Sequence, residues 1–179
     1  MKIHTIKVQD IEGVEMDSNG VGLSETERIE SCENIINNMP QKPVISNDHF
    51  AFNATPCYIP LIDLVYIPSI SAIKSATSYY STLFHEIAHS TGHQSRLNRE
   101  GVIKQTKFGS SDYAFEELVA ELGAFFLCAK AGIKNETEKD SAVYLNSWIK
   151  GFNEDYKFIF KAASFCPKSL KFCIRPAIN

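Results

Sequence analysis

Two histidines, His85 and His89, with a glutamate beside the first of them, constrain this chain more than any other feature. Residues four apart on an α-helix lie on nearly the same face, one turn above the other. The two imidazoles can therefore bind one ion from a single rigid helix. Glu86 follows the first histidine and can reach a water at that ion as its general base. The pattern predicts a helix that carries a catalytic metal site.

A second apolar helix, predicted from about Asp112 onward, supplies the acids that such a site needs. Three carboxylates, Glu116, Glu117 and Glu121, interrupt a stretch whose apolar residues recur at helical spacing. A buried carboxylate requires a cation or hydrogen-bond partners, and a zinc ion is one such cation. Catalytic zinc takes three protein ligands and keeps one position open for water or substrate. Two facing helices, one with the histidines and one with an acid, make a plausible site for one Zn2+.

The composition of the 179-residue chain sets modest bounds. Its length fits a single domain over residues 1–179, and 44% hydrophobic with 22% charged residues is ordinary for a soluble globular protein. The formal net charge of −3 gives no electrostatic case for strong nucleic-acid binding. The five cysteines are scattered and contain no Cys-x-x-Cys pair, and no apolar run is long enough for a signal peptide or a membrane helix. We therefore expect a cytoplasmic protein that does not bind membranes.

The order of the predicted elements is that of an α+β protein, a small antiparallel sheet followed by a helical half. Alternating residues over 3–8 predict a strand, and prolines divide residues 43–68 into two or three short strands. One of these, Asp63–Ile67, is expected at an edge of the sheet because of the prolines near it. The predicted helices are about 24–39, 75–91 ending at Gly92, a ligand helix capped by Asp112, 137–151, and 154–166 ending before Pro167.

The stretch from Tyr79 to His93, followed by Arg96-Leu97-Asn98-Arg99, resembles the C-terminal metallopeptidase domain of ArdC-type antirestriction proteins. Residues 54–68, 108–110 and 113–124 match the same domain, and residues 146–149 match it more weakly. The resemblance covers most of the chain from about residue 40. It implies a zincin-like fold carried on plasmids, conjugative elements and phages. Full-length relatives also have an N-terminal single-stranded-DNA-binding domain, which we expect this chain to lack because it starts at the peptidase portion.

The resemblance also implies which acid is the third ligand. The pattern from Glu117 to Glu121 resembles the second helix of zincins that use a glutamate ligand. There the first acid binds the metal and the acid four residues later orients a ligand histidine, which implies Glu117 as ligand and Glu121 as the orienting residue. Glu116 lies about 100° around the helix from Glu117, so the two cannot face one ion. We therefore expect Glu116 to matter little.

Four further residues have open roles. His93 lies four residues after His89 and is an alternative third ligand, although Gly92 is expected to end the helix before it. Tyr113 can stabilise an oxyanion, or it can cap or pack the ligand helix. Arg96 and Arg99 can bind a substrate carboxylate, but pairing with surface acids is the better expectation.

These observations predict a zinc-dependent metallopeptidase that hydrolyses a peptide or protein substrate. Zinc is held by His85, His89 and Glu117, and Glu86 takes the proton of the attacking water and returns it to the leaving amine. An extended substrate is expected to pair with the strand at Leu64–Ile67. The alternative is a non-catalytic antirestriction or DNA-protection module in which the metal mainly stabilises the fold. The intact Glu86 favours the enzyme, because a structural metal needs no general base.

Overall fold

A computed structural model describes residues 24–48, 55–104, 107, 109–136 and 145–174 of the chain. Its elements in chain order are α1 (Glu25–Asn37), β1 (Val44–Ser46), β2 (Cys57–Ile59), β3 (Leu64–Tyr66), α2 (Ala76–Ser90), α3 (Glu100–Ile103), α4 (Ser111–Ala131), α5 (Leu145–Glu154) and α6 (Phe158–Cys173). The strands precede the long helices, which confirms the α+β class. The strand predicted at 3–8 lies outside the described residues. In the part that is described, no helix has both the length and the apolarity to cross a membrane.

The three strands form a mixed sheet in the order β1-β3-β2. Strand β1 pairs with β3 in parallel, whereas β2 pairs with β3 in antiparallel fashion. The expectation of a wholly antiparallel sheet with its edge at Asp63–Ile67 was therefore wrong, because β3 is the central strand. Val65, Tyr66 and Ile67 are almost completely buried. The prolines near β3 lie beyond its ends and limit its length, while Pro43 and Pro56 directly precede β1 and β2, the outer strands of the described sheet.

Helices α2 and α4 pack against each other and place the core between them and the sheet. A Cβ atom on Gly123 of α4 would lie 2.7 Å from Cβ of Ala88 on α2, so the two helix backbones approach closely. The core cluster also includes residues from the sheet and from α1. Its most deeply buried members are Cys32, Val65, Ile67, Leu83, Phe84, Ile87, Ala124, Leu127, Cys128, Ala131 and Cys173.

Local caps fix where the two long helices begin. Helix α2 begins after Ser75, whose hydroxyl accepts a hydrogen bond from the Ser78 amide, and it ends at Ser90. Helix α4 begins after Ser110, which accepts from the Tyr113 amide. Ser110 is therefore the cap rather than Asp112, which lies in the first turn, where its charge favours the helix dipole.

The C-terminal helices depart from the sequence expectations. Residues 137–144 lie outside the described part, so the predicted start of a helix near 137 is not described, and α5 runs on to Glu154. Helix α6 continues through Pro167 to Cys173, although a proline was expected to end it at Cys166. Cys166, Ser169 and Cys173 are all buried on the packed face. We attribute the continuation to this burial, which offsets the hydrogen bond that proline cannot donate.

Candidate metal centre

The two motif histidines point toward each other from consecutive turns of α2. Their Nε2 atoms are 3.1 Å apart, and both side chains are partly exposed to a cavity of about 480 Å³. Residues four apart share a helix face, and this arrangement follows directly from that spacing. The predicted helix of 75–91 is confirmed to within one residue at each end.

Glu117 of α4 faces both histidines. Its Oε2 lies 3.6 Å from Nε2 of His85, and its Oε1 lies 3.8 Å from Nε2 of His89. One donor atom from each of the three residues lies within 4.8 Å of the other two. Ligand atoms bound at zinc-like distances around a tetrahedral ion are roughly 3.3 Å apart, so these separations suit a common ion. Two imidazoles and one carboxylate are also a donor set that binds divalent metals.

The charges around this cluster favour a cation. Burial would lower the pKa of His85, but hydrogen bonds to Glu117 and Glu121 outweigh burial and raise it. Burial would raise the pKa of Glu117, yet the two histidines and a hydrogen bond from Tyr113 hold it below its usual value. The field that stabilises a positive imidazolium here also stabilises a metal cation. The residues present therefore fit a divalent ion by geometry, donor type and charge.

A second carboxylate orients each histidine from its outer side. Nδ1 of His85 lies 2.9 Å from Oε2 of Glu121, and Nδ1 of His89 lies 3.2 Å from Oε1 of Glu116. An ionised carboxylate only accepts, so both Nδ1 atoms carry the proton. When a metal replaces the proton on Nε2, the Nε2 lone pair of each histidine would face the cluster, as in many metal sites.

The contact of Glu121 matches the sequence expectation, but that of Glu116 was missed. Glu116 does not face the cluster, as its position on the helix required, yet it is buried against the far nitrogen of His89. The contact with His89 gives Glu116 a position that the expectation of little effect did not include, and the effect of removing it stays a prediction. The available signal was its position directly before the candidate ligand Glu117. Adjacent residues of a helix lie about 100° apart, so Glu117 faces Nε2 of His89 while Glu116 faces Nδ1.

Glu86 is buried and lines the same cavity as the three candidate ligands. Strand β2 contributes Cys57 and Tyr58 to the lining, and Trp148 of α5 contributes from the helical half. The predicted substrate strand Leu64–Ile67 is absent from the lining, because β3 is the buried central strand. The edge strand beside the cavity is β2.

His93 and Tyr113, left open by the sequence, have separate environments. His93 is not part of the three-residue cluster, and its Nδ1 accepts from the Ser95 amide at 3.2 Å within the turn that follows α2. The three-histidine alternative therefore has no geometric support. Tyr113 lines the cavity and donates a hydrogen bond to Glu117.

The two arginines are buried, which corrects the expectation that they pair with surface acids. The side chain of Arg96 is 1% exposed and forms an ion pair with Asp63, while its Nε donates to the Ser90 carbonyl at 2.7 Å. Arg99 forms an ion pair with Glu116 at 2.6 Å. Both side chains therefore join the segment after α2 to the rest of the fold.

Gly92 has a different role from the predicted one. It was expected as the residue after the C-cap of α2, and α2 does end just before it, but the positive-φ glycines of the described part are Gly109 and Gly132. A Cβ on Gly92 would instead meet the side chains of Val102 and Arg99. The glycine leaves room for close packing.

A histidine pair on one helix, an acid facing it from a second helix and a small sheet beside the cavity define the zincin class. Residues 36–165 match the family described as zincin-like metallopeptidase (MPTase-PolyVal). The chain belongs to this family.

The chain is also similar to individual proteins and to solved structures. The chain is 34% identical over 142 residues to the uncharacterized protein y4eC of Sinorhizobium fredii (strain NBRC 101917 / NGR234), and 39% identical over 117 residues to the DNA primase TraC of Escherichia coli. It also resembles crystal structures of the antirestriction protein ArdC from plasmid R388. The Mn(II)-bound structure has a TM-score of 0.65 and 32% identity over 84% of this chain, and the metal-free structure has a TM-score of 0.62.

These similarities cover only parts of the longer proteins. The aligned region is 79% of this chain but 43% of y4eC, and 65% of this chain but 11% of TraC. It is 52% of the Mn(II)-bound ArdC chain. The predicted resemblance to ArdC-type proteins is confirmed for this shared region.

Proposed function

We propose that the protein is a zinc-dependent metallopeptidase in which His85, His89 and Glu117 hold the metal and Glu86 is the general base. One observation carries the proposal. The three donor atoms that fit one ion and the separate carboxylate of Glu86 line a single cavity. A site that only stabilises a fold needs no general base and usually closes its fourth position.

In the proposed peptide hydrolysis, the metal and the side chains of the protein have separate roles. Zinc, when bound, supplies Lewis acidity to a water and to the scissile carbonyl. Glu86 accepts the proton of the attacking water and delivers it to the leaving nitrogen. Glu116 and Glu121 hold the protons on the outer nitrogens of the histidines. Tyr113 lines the cavity, and its hydroxyl, which donates to Glu117 in this structure, can donate to the developing oxyanion once it turns away from that carboxylate.

Zinc is the proposed metal because of the donor set. Imidazoles with one carboxylate and an open position are typical of catalytic zinc sites. Such sites generally bind zinc more tightly than manganese. The related ArdC structure contains Mn(II), which supports a divalent ion in this chain without excluding zinc. Metal analysis of protein purified without added manganese tests the choice.

The proposed substrate is a peptide segment bound in extended form along β2. Among the described strands β2 lies at an edge of the sheet, and it contributes to the cavity wall. Among the described residues that line the cavity are four glutamates and no lysine or arginine. Such a wall suits a neutral or basic peptide better than a phosphate backbone.

The host setting is also a proposal. Similarity to an antirestriction protein of plasmid R388 supports a link to a mobile genetic element. All five cysteines are free in the structure, and four of them are buried, which supports a cytoplasmic location. The same similarity favours the second candidate, a non-catalytic antirestriction module. The open cavity with Glu86 in its wall favours the enzyme.

The deciding experiment compares wild type with Glu86→Gln. We expect both to bind about one zinc per chain, and only wild type to cleave peptides in a proteomic cleavage screen. The matched control is Glu30→Gln, an exposed glutamate on α1, which keeps both properties. Equal cleavage by Glu86→Gln, or loss of its zinc, would contradict the assigned role. A wild-type protein that binds zinc but cleaves nothing in the screen would favour the non-catalytic module.

A further inference from the structure

Arg99 is a buried cation one residue layer behind the candidate metal centre. Its side chain is 3% exposed. The guanidinium binds Glu116 with two hydrogen bonds, Nε to Oε2 at 2.9 Å and Nη2 to Oε1 at 2.6 Å. This two-pronged contact is the strong, directional form of an arginine–carboxylate pair. Oε1 of Glu116 is also the atom that accepts from Nδ1 of His89.

The remaining donors of Arg99 bind the end of the helix that carries His89. Nη1 donates to the Thr91 hydroxyl at 2.6 Å, and Nη2 donates to the Ala88 carbonyl at 2.9 Å. A cation at this position also favours the negative end of the α2 dipole. Arg99 therefore contacts both the backbone around His89 and the carboxylate that orients its ring.

Two glycines leave the space that this arrangement occupies. A Cβ on Gly92 would lie 3.0 Å from Cζ of Arg99, and a Cβ on Gly101 would lie 3.0 Å from Cβ of Glu116. Both distances are tighter than ordinary contacts between side chains. The glycines at positions 92 and 101 thus allow Arg99 and Glu116 to pack this closely.

We propose that Arg99 is a positioning residue for the candidate metal site, acting through Glu116 to fix the ring of His89. Arg99 is also the residue before α3, whose Gly101 and Val102 line the cavity. The same side chain thereby joins one cavity wall to a metal ligand. The inference rests on the proposed function, since it requires that the cluster binds a metal.

The test is the zinc affinity of Arg99→Lys, measured by chelator competition well below the unfolding temperature. Lysine keeps the charge but cannot make the two-pronged contact and also reach Thr91 and Ala88. We expect zinc binding to weaken by about 10–100-fold, the usual effect of losing an orienting contact. The Co(II)-substituted protein is also expected to show an altered absorption spectrum, since that spectrum reports ligand geometry.

The matched control is Arg96→Lys. Arg96 is equally buried and also binds the end of α2, but its carboxylate partner is Asp63. This variant is expected to lose stability while its zinc affinity and Co(II) spectrum stay close to those of wild type. If Arg99→Lys behaves in the same way, Arg99 is merely structural and the inference is overturned.

A second variant keeps the test decisive if Arg99→Lys does not fold. The double variant Arg99→Gln with Glu116→Gln removes both charges, so that neither is left buried and unpaired. It is expected to bind zinc more weakly than wild type, and a wild-type affinity would overturn the inference. Absence of zinc binding in wild type itself would instead contradict the proposed function, so the two failures are distinct.

Discussion

Oε1 of Glu116 lies 3.2 Å from Nδ1 of His89, on the side of the ring opposite the candidate metal ligand Glu117. Burial would raise the pKa of Glu116, but hydrogen bonds with Arg99 and His89 outweigh it and hold the pKa below its usual value. The carboxylate is therefore ionised at neutral pH and fixes the proton of His89 on Nδ1. This contact changes the expected ranking of the acids of α4.

The revised ranking is tested by a zinc titration of three alanine variants. Glu117→Ala removes a candidate ligand and a neutralising charge, so the purified protein should be largely metal-free at micromolar zinc. Glu121→Ala and Glu116→Ala each remove an orienting carboxylate, and each should weaken binding by about 10–100-fold. A near-wild-type affinity of Glu116→Ala would restore the view that its side chain is unimportant. Retention of zinc by Glu117→Ala with loss in His93→Ala would support the three-histidine site.

The ligand helices were predictable because their signals are local. The spacing of His85 and His89 and the cap residue Ser75 act within one or two turns, although the cap of α4 was expected at Asp112 and lies at Ser110. The partner of Glu116 was not predictable, because Arg99 is 17 positions away and reaches it only through the fold of the intervening segment. The strand order of the sheet was missed for the same reason, because prolines limit the length of a strand but do not determine which strands it pairs with.

The ion pair of Asp63 with Arg96 predicts a loss of stability in acid. Burial would raise the pKa of Asp63, but hydrogen bonds from Arg96 and Tyr58 outweigh it and lower the pKa. A lowered native pKa stabilises the fold above the unfolded value of about 3.9, and this contribution is lost as pH falls through the native pKa. Urea unfolding of wild type and Asp63→Asn should therefore differ at neutral pH, and the difference should shrink as the pH falls from about 4 through the native pKa of Asp63.

Asparagine isolates the charge in this comparison. Asp63 has a left-handed φ of 49°, a conformation that asparagine tolerates as well as aspartate does. If the difference in the free energy of unfolding persists unchanged at acidic pH, the charge of the Asp63 carboxylate is not what stabilises its contact with Arg96.

Binding to single-stranded DNA is expected to be weak. The chain has a formal net charge of −3, and the lysines of the C-terminal segment have neighbours: Lys161 pairs with Asp155, and Lys168 lies over the ring of Phe165. Fluorescence anisotropy at physiological salt should give a Kd near the non-specific level of about 10⁻⁴–10⁻⁶ M. Nanomolar binding would move the antirestriction module ahead of the peptidase. In that case Lys168→Glu tests whether this segment is responsible.

The close approach of α2 and α4 predicts that Gly123→Ala destabilises the protein. Its new Cβ would lie 2.7 Å from Cβ of Ala88, and overpacking of this kind typically costs about 1–3 kcal/mol. Separating the helices also moves Glu117 away from the histidines, so zinc affinity should fall together with stability. Urea unfolding and zinc titration measure the two effects.

The compensating change identifies the cause. Ala88→Gly removes the atom that the new Cβ would meet, so the double variant Ala88→Gly with Gly123→Ala should recover zinc affinity relative to Gly123→Ala alone. The double variant should lose less free energy of unfolding than the two single variants lose together, although glycine within α2 itself costs up to about 1 kcal/mol. Strict additivity of the two substitutions would show that they do not interact. The distance between α2 and α4 would then be set by other residues of the core.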